Sequence, residues 1–276
     1  MTETWPGNWI ETAPTAPSAL DTGVPHIARV YDYWLGGKDN FAADREAAKQ
    51  VITAYPGILR DVRAQRAFLA NAVRYLAGEA GIRQFLDIGT GIPTANNTHE
   101  VAQWVEPGCR VVYVDNDPMV LAHARALLVG TTAPTSYIDS DLRDTGRVLA
   151  EAASLLDFRK PVAIMLISVL HLIPDEDDPH AIVTRLLEAV PSGSWLALSH
   201  PARDIHTGEV SEAADRFNRL APAKTTLRTQ AEIRRFFNGL ELLEPGLVQV
   251  HRGRPGPAAP DDGEHVAGYC GLGRKS

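Results

Sequence analysis

The segment Gln84-Phe-Leu-Asp-Ile-Gly-Thr-Gly-Ile-Pro-Thr94 indicates the fold most clearly. It opens with a short apolar segment, as in a buried β-strand, and Gly89 and Gly91 follow at once. Because glycine carries no Cβ, such a loop can turn tightly and let a ligand approach its backbone. An ordinary turn between a strand and a helix can carry the same glycines. The stretch therefore predicts a strand followed by a candidate ligand-binding loop.

Further strands are predicted downstream of this loop, with helical patterns between them. The predicted strands are 110–114, 136–138, 161–167 and 194–199, and two of the predicted helices are 118–128 and 180–190. Alternating strands and helices predict an α/β fold in which a parallel sheet carries helices on both faces.

The C-terminal part departs from this alternation. A helix is predicted over 229–237, and two strands follow over 240–250 and 265–271. Because these two strands are joined without a helix, we expect them to pair antiparallel at one edge of the sheet. The Pro/Gly-rich segment between them, 252–263, predicts a mobile loop.

The residues before position 81 are organised differently. Thr, Pro, Ala and Ser dominate residues 1–24, which predicts a flexible tail. From Pro25 onward apolar residues recur at helical spacing, and a longer helix is predicted from about residue 60 to residue 76. We expect a tail at 1–24, a helical cap or lid at 25–80, and a ligand-binding domain at 81–276.

The composition narrows the class of function. The chain has 276 residues, a net charge of −7 and 45% hydrophobic residues, which suits a large globular domain. The excess of 34 acidic over 27 basic residues argues against a nucleic-acid partner. No run reaches the roughly 18 apolar residues that cross a membrane, and the N-terminus lacks a signal-peptide pattern, so a cytoplasmic location is expected. Cys109 and Cys270 make neither a disulfide framework nor a metal site, so no metal is expected.

Two acidic residues indicate the kind of ligand. Asp115 ends the second strand, where a carboxylate can accept hydrogen bonds from a ribose diol; alternatively it caps the helix that Pro118 opens. Asp87 precedes the glycines, where a negative charge disfavours a pyrophosphate and suits the amino group of a methionine moiety. Thr94 stands where a dinucleotide-binding loop has its third glycine. The loop therefore favours S-adenosylmethionine over a nicotinamide dinucleotide.

The ordered motifs of the chain resemble those of class I S-adenosylmethionine-dependent methyltransferases. They are Asp87-Ile-Gly-Thr-Gly91, Asp115, Asp141-Leu142, Ser168-Val-Leu-His171 and Pro191-Ser-Gly-Ser-Trp-Leu-Ala-Leu-Ser199. The stretch Tyr31-Asp-Tyr-Trp-Leu-Gly-Gly-Lys-Asp-Asn40, with 89–94 and Asn97, resembles the actinobacterial S-adenosyl methyltransferase family. This resemblance runs from about Pro25 to the C-terminus. It implies a seven-stranded Rossmann-like sheet with the last strand antiparallel and an N-terminal helical cap.

The resemblance also implies where S-adenosyl-L-methionine would bind. The implied cofactor residues are Asp87, Gly89, Thr90, Gly91, Asp115, Asn116, Asp141, Leu142, Ser168 and His171. Asp87 and the glycines would surround the methionine end, Asp115 the ribose, and Asp141 with the Leu142 backbone the adenine. Ser168 and His171 would line the wall near the sulfonium, which makes His171 a candidate catalytic residue. The alternatives are a surface turn for Asp141 and a core position for His171.

A lid or acceptor pocket is expected to use Tyr31, Tyr33, Lys38, Asn40 and His200. The four N-terminal residues would form a lid over the cofactor; alternatively, Trp34 and Leu35 dock a helix onto the sheet. His200 follows the fifth strand and could act as a general base, because histidine titrates near neutral pH. Its alternative role is to cap the end of that strand.

The sequence predicts a methyltransferase that uses S-adenosylmethionine and a small-molecule acceptor, with no nucleic-acid or membrane partner. Methyl transfer needs little acid–base help, because the sulfonium is activated and alignment supplies much of the rate. One alternative is a protein that senses S-adenosylmethionine without turnover. Another is a nicotinamide-dependent oxidoreductase, which Asp87 and Thr94 disfavour. The acceptor, the methylated atom and the oligomeric state are left open by the sequence.

Overall fold

The computed structural model describes residues 20–128, 134–253 and 265–276. Most of the predicted tail at 1–24 and of the predicted mobile loop at 252–263 lies outside the described residues. The strands are β1 Gln84–Ile88, β2 Arg110–Asp115, β3 Thr135–Asp139, β4 Ala163–Ile167, β5 Trp195–Pro201, β6 Leu240–Leu242, β7 Val248–Gln249 and β8 Gly268–Lys275. The helices are α1 Ile27–Trp34, α2 Ala42–Ala54, α3 Ile58–Gly78, α4 Thr98–Val105, α5 Pro118–Leu128, α6 Thr145–Ala152, α7 Pro179–Glu188, α8 Thr207–Leu220 and α9 Gln230–Arg234.

Within the described ranges, the strands form one sheet in the order β3-β2-β1-β4-β5-β8-β6, with β7 also paired to β8. Strands β1 to β5 are parallel, and β8 pairs antiparallel with β5, from Trp195 opposite Arg274 to Pro201 opposite Gly268. The predicted α/β class with an antiparallel last strand is confirmed.

The described part of the sheet has eight strands instead of the predicted seven, because the segment 240–250 forms two short strands, β6 and β7. The break between them contains Pro245 and Gly246. A proline has no N–H to donate to a neighbouring strand, and Gly246 has a φ of 88°, which an extended strand does not have.

Helices cover both faces of the sheet. Alternate residues of β1 point to opposite faces: Phe85 packs with α3 and α4, and Leu86 packs with α6, α7 and α9. Because the central strands are buried on both faces, their carboxyl ends are the part of the sheet that a ligand can reach. This is the arrangement that positions the site.

A third apolar cluster lies beside the sheet and joins α1, α2 and α8. Trp34 of α1 is buried there, and its Nε1 donates to the Ala48 carbonyl of α2 over 3.3 Å. Phe217 of α8 belongs to the same cluster, whereas Phe68 and Leu76 of α3 pack against the sheet. Helices from both sides of residue 80 thus pack in one apolar cluster. The division of the chain at residue 80 stays a prediction.

No helix of the described residues has both the length and the hydropathy that a membrane span requires.

Candidate active site

A cleft lies at the carboxyl ends of β1, β2 and β4. The cofactor residues predicted from the sequence that line it are Asp87, Gly89, Thr90, Gly91, Asp115, Asn116, Asp141, Leu142 and Ser168. Helix α1 covers one side of the cleft with Ile27, Ala28, Tyr31 and Asp32, and Leu35 directly after the helix also lines it. The cleft thus brings together residues that are spread over more than 100 positions of the sequence.

The loop after β1 depends on its glycines. Gly89 and Gly91 have φ angles of 74° and 66°, in the left-handed region that disfavours side chains. A Cβ on Gly89 would lie 2.3 Å from Cγ2 of Val169, whereas a Cβ on Gly91 would meet no described atom within 4 Å. The Gly91 amide donates to Oδ2 of Asp115 over 2.8 Å. The loop is therefore tied to the end of β2 and has free space beside Gly91.

The Asp87 carboxyl lies under this loop, and the residue as a whole is 3% exposed. Its Oδ2 accepts a hydrogen bond from Thr98 Oγ1, the first residue of α4, over 2.6 Å. Burial raises the pKa of Asp87 to about 6, although the Thr98 hydrogen bond and the nearby charge of Arg66 lower it. Among the described residues no cationic group lies within 4.0 Å of this carboxyl. Such a carboxyl favours a positively charged ligand.

Asp115 is also buried, and burial raises its pKa. Its Oδ2 accepts from Gly91 N, and its Oδ1 accepts from Asp117 N over 3.0 Å. The start of α5 is capped by Asp117, whose Oδ1 accepts from Met119 N over 2.8 Å. A carboxylate oxygen has two lone pairs, so each Asp115 oxygen can accept one more hydrogen bond.

Asp141 lies at the open end of the cleft, and its side chain is 37% exposed. Its Oδ1 accepts from Arg143 N over 2.8 Å, and its Oδ2 accepts from Arg143 Nη1 over 2.9 Å. Asn116 Nδ2 donates to the same Oδ2 over 3.3 Å. Asp141 thus has the contacts of a turn residue and also borders the cleft, as both interpretations of the sequence allow.

The structure does not bring His171 or His200 to the lining of the cleft. Nδ1 of His171 is buried without a hydrogen-bond partner in the described part of the chain, and burial lowers the pKa of this ring to about 3. The two rings contact each other at 6.0 Å between centroids. Ser168, in contrast, lines the cleft, and its amide donates to Ser199 Oγ over 3.1 Å.

The tautomer of His200 follows from its partners. Its Nδ1 lies 2.7 Å from the Pro201 carbonyl oxygen. Because a carbonyl oxygen can only accept, Nδ1 carries a proton and donates it. Its Nε2 lies 2.9 Å from Nη1 of Arg228, which can only donate. The ring is therefore neutral with its proton on Nδ1, in keeping with the lowered pKa that burial causes. Arg228 is 3% exposed and was not predicted as a site residue.

In the N-terminal motif, only Tyr31 of the four predicted lid residues lines the cleft. Its hydroxyl donates to the Val62 carbonyl over 3.1 Å. Asn40 is buried and donates from Nδ2 to Asp32 Oδ2 over 2.8 Å, which closes the turn between α1 and α2. Tyr33 and Lys38 lie outside the lining, and Lys38 is exposed.

The structure adds three basic residues to the lining that the sequence did not indicate: His26, Arg66 and Arg143. Arg66 lies on α3 in a segment where arginines recur every three residues, at 60, 63 and 66. No local pattern distinguishes the arginine that faces the cleft from the others. His26 Nδ1 lies 2.7 Å from Asp117 Oδ2, a pairing across 91 positions that a sequence pattern does not reveal.

Comparisons with known proteins agree with this geometry. A family model described as S-adenosyl methyltransferase matches residues 13–276. A DUF574-family protein from Streptomyces avermitilis is 46% identical, with a TM-score of 0.89, and the match covers 93% of this chain and 99% of that one. A protein from Thermobifida fusca, described as a candidate methyltransferase, is 41% identical with a TM-score of 0.87, covering 96% and 100%.

The chain also resembles a curated protein over a shorter stretch. The carboxy-S-adenosyl-L-methionine synthase of Klebsiella pneumoniae is 32% identical over 108 residues. This match spans 38% of the present chain and 39% of that relative, about two fifths of its length.

Proposed function

The chain belongs to the S-adenosyl methyltransferase family, and from this we propose that it transfers a methyl group from S-adenosyl-L-methionine to a small-molecule acceptor. Membership assigns the chain to the S-adenosylmethionine-dependent methyltransferases, with S-adenosyl-L-methionine as cofactor. The comparisons support neither a nicotinamide-dependent oxidoreductase nor a sensor without turnover. The class of acceptor and the roles of individual residues are our proposal.

The observation that carries the proposal is the buried Asp87 carboxyl beneath a glycine loop with open space at Gly91. A second buried carboxyl, Asp115, follows on the next strand. The Asp87 carboxyl disfavours the pyrophosphate of a dinucleotide and suits an ammonium group, and the Asp115 carboxyl suits a ribose. The residues of the cleft therefore fit S-adenosylmethionine.

The proposal gives each part of the cleft a task. When bound, the cofactor supplies a methyl group activated by a positively charged sulfur. Asp87 would hold the amino group of the cofactor, Asp115 would accept hydrogen bonds from the ribose hydroxyls, and Asp141 with Leu142 would border the adenine. Alignment of the acceptor with the methyl group supplies much of the rate in such a transfer. Neither the His171 ring nor the His200 ring lines the cleft. Their catalytic roles stay predictions.

A small-molecule acceptor is supported by the remaining walls of the cleft. The residues that line it include Leu35, Leu172, Ile173 and Ala223, which are apolar. Such walls suit a compact, partly apolar substrate, and α1 would exclude water from it. The absence of a nucleic-acid partner and a cytoplasmic location stay predictions from composition.

The test begins with calorimetric titration of S-adenosylmethionine, S-adenosylhomocysteine and NADH into the protein. We expect micromolar binding of both adenosyl compounds and none of NADH. Asp115→Ala should bind S-adenosylhomocysteine roughly 10-fold to 100-fold more weakly, because hydrogen bonds to a charged group contribute about 1.5–3 kcal/mol. Asp215→Ala, at an exposed position on α8, is the matched control. Binding of NADH alone would refute the cofactor, and unchanged affinity in folded Asp115→Ala would refute the ribose assignment.

The acceptor class is tested by turnover. A cell extract is divided into low-molecular-weight and macromolecular fractions, and each is incubated with the protein and S-adenosylmethionine while S-adenosylhomocysteine is measured. We expect product with the low-molecular-weight fraction. Product with the macromolecular fraction alone would contradict a small-molecule acceptor, and product with neither would favour the sensor.

A further inference from the structure

One residue in the lining of the cleft comes from a part of the chain that the cofactor residues do not use. The implied cofactor residues lie between Asp87 and His171 in the sequence, whereas Ala223 follows β5 and α8. Among the described residues, Ala223 is the one lining residue beyond Ile173. It is also exposed, so it lies where the cleft opens to solvent.

The segment that carries Ala223, residues 221–226, is anchored at both ends. At its start, Ala221 is buried in the apolar cluster that joins α1, α2 and α8. At its end, the Thr226 amide donates to the His171 carbonyl over 2.7 Å. His171 belongs to the short 3-10 turn that follows β4. The segment therefore crosses from the cluster beside the sheet to the turn after β4, and Ala223 lies between the two anchors.

Side chains of α8 and of the segment itself hold the segment in place. Asn218 pairs with the backbone of Thr225: its Nδ2 donates to the carbonyl over 2.9 Å, and its Oδ1 accepts from the amide over 2.7 Å. Lys224 Nζ donates to the carbonyls of Asn218 and Ala221, the latter over 2.8 Å. Lysine often binds the last carbonyls of a helix in this way. Because the backbone beside Ala223 is held, the size of its side chain determines how much room remains.

The walls on either side of this segment are apolar. Leu35 packs against the cluster in which the segment begins, and Leu172 lies in the turn on which the segment ends. Both residues line the cleft together with Ala223. None of these three side chains has a polar group that could bind the ammonium group, the ribose or the adenine edge of the cofactor. This part of the cleft therefore suits the acceptor.

Resting on the proposed function, we propose that Ala223 is a specificity-determining residue for the methyl acceptor. The acceptor enters beside Ala223, and this short side chain leaves open the gap that the segment 221–226 crosses. A larger side chain at this position fills the gap and leaves the cofactor residues unchanged. The side chain at position 223 thus limits the size of the acceptor that can align with the methyl group.

The experiment compares Ala223→Ser, Ala223→Val and Ala223→Phe with the unmodified protein. Binding of S-adenosylhomocysteine is measured by calorimetry. Turnover is measured as S-adenosylhomocysteine formed from S-adenosylmethionine and a dilution series of the low-molecular-weight fraction of a cell extract. At limiting extract, we expect turnover to fall in the order Ser, Val, Phe, by at least about 10-fold for Ala223→Phe. The Kd of S-adenosylhomocysteine should stay within about 2-fold in all three variants.

The matched control is Ala231→Phe, which adds the same ring at an exposed position on α9 outside the lining of the cleft. It should leave both turnover and binding unchanged.

Two results would overturn the inference. Ala223→Phe could turn over the extract as fast as the unmodified protein. Alternatively, it could weaken S-adenosylhomocysteine binding by the same factor as it slows turnover, which would place this position beside the cofactor. Failure of the proposed function looks different, because the unmodified protein would then bind no S-adenosylhomocysteine, or would form none with the low-molecular-weight fraction.

Discussion

Among single residues, the buried Asp87 carboxyl favours a positively charged ligand in the cleft. The residue is 3% exposed, and burial raises its pKa to about 6 from an ordinary value of 3.8. At neutral pH the ligand-free protein therefore holds a buried charge that destabilises the fold. A cationic ligand offsets this charge. The same carboxyl therefore lowers the stability of the ligand-free protein and favours binding of the ligand.

This cost predicts how Asp87→Asn behaves. A carboxyl with a raised pKa in the folded state favours the fold below its unfolded pKa, and that contribution is lost as the pH rises to about 6. Above pH 6 the ligand-free variant should have the higher Tm, because it carries no buried charge. The difference should shrink as the pH falls toward 4.

Thermal unfolding of both proteins across this pH range is the measurement. Asp215→Asn, which changes an exposed carboxyl on α8, should show no such trend. A lower Tm for Asp87→Asn at every pH would show that the Thr98 hydrogen bond matters more than the buried charge.

Among the elements, the segment between α8 and α9 holds one wall of the cleft through Arg228. Its Nη1 donates to the Leu170 carbonyl over 3.0 Å, and its Nη2 donates to the Ile173 carbonyl over 2.8 Å. These carbonyls bracket the short 3-10 turn at Leu170–Leu172. Since Leu172 and Ile173 line the cleft, Arg228 positions the wall without lining it.

Arg228→Gln should therefore destabilise the fold. It removes donors from two buried carbonyls and from His200 Nε2, which should cost about 2–4 kcal/mol in the free energy of unfolding. The expected fall in Tm is roughly 5–15 °C for a chain of this size, measured by thermal unfolding.

The control for this prediction is Arg203→Gln. Arg203 forms an exposed ion pair with Glu232 at 2.8 Å, and such pairs contribute about 0–1 kcal/mol. Equal changes in Tm for the two variants would show that the buried network around Arg228 does not hold the turn.

For the whole molecule, the main feature is that α1 contributes both to an apolar cluster and to the lining of the cleft. It packs with α2 and α8 in one apolar cluster, and its other residues line the cleft at the carboxyl ends of the sheet. A ligand in the cleft would contact the sheet and α1 together. Binding should therefore stabilise α1 along with the glycine loop.

S-adenosylhomocysteine at 100 times its Kd should raise the free energy of unfolding by about 2.7 kcal/mol, which corresponds to roughly 5–10 °C in Tm. Hydrogen exchange should slow in α1 and in residues 89–94, and much less in α7, which packs on the far face of the sheet. Protection of the loop without protection of α1 would contradict a lid role for this helix.

The sequence was sufficient to infer the α/β class, the strand that leads into the glycine loop, and the class of cofactor. These are local properties: strand length, helical spacing and the need for glycine at positive φ are determined by neighbouring residues. Asp87 and Asp115 could be named from the sequence because they lie at or next to the last residues of β1 and β2. The parallel sheet then brings such strand ends together.

Which side chains near those strand ends face the cleft depends on the folded chain. His200 lies at the carboxyl end of β5 as Asp115 lies at that of β2, yet Arg228 covers His200 from a segment 28 positions away. Arg66 and Arg63 look alike in the sequence, and the packing of α3 on the sheet decides which one reaches the glycine loop. The pairing of β8 between β5 and β6 is equally non-local. Burial and long-range partners determine these features, and neither is encoded in a short stretch of sequence, because each depends on residues that folding brings together.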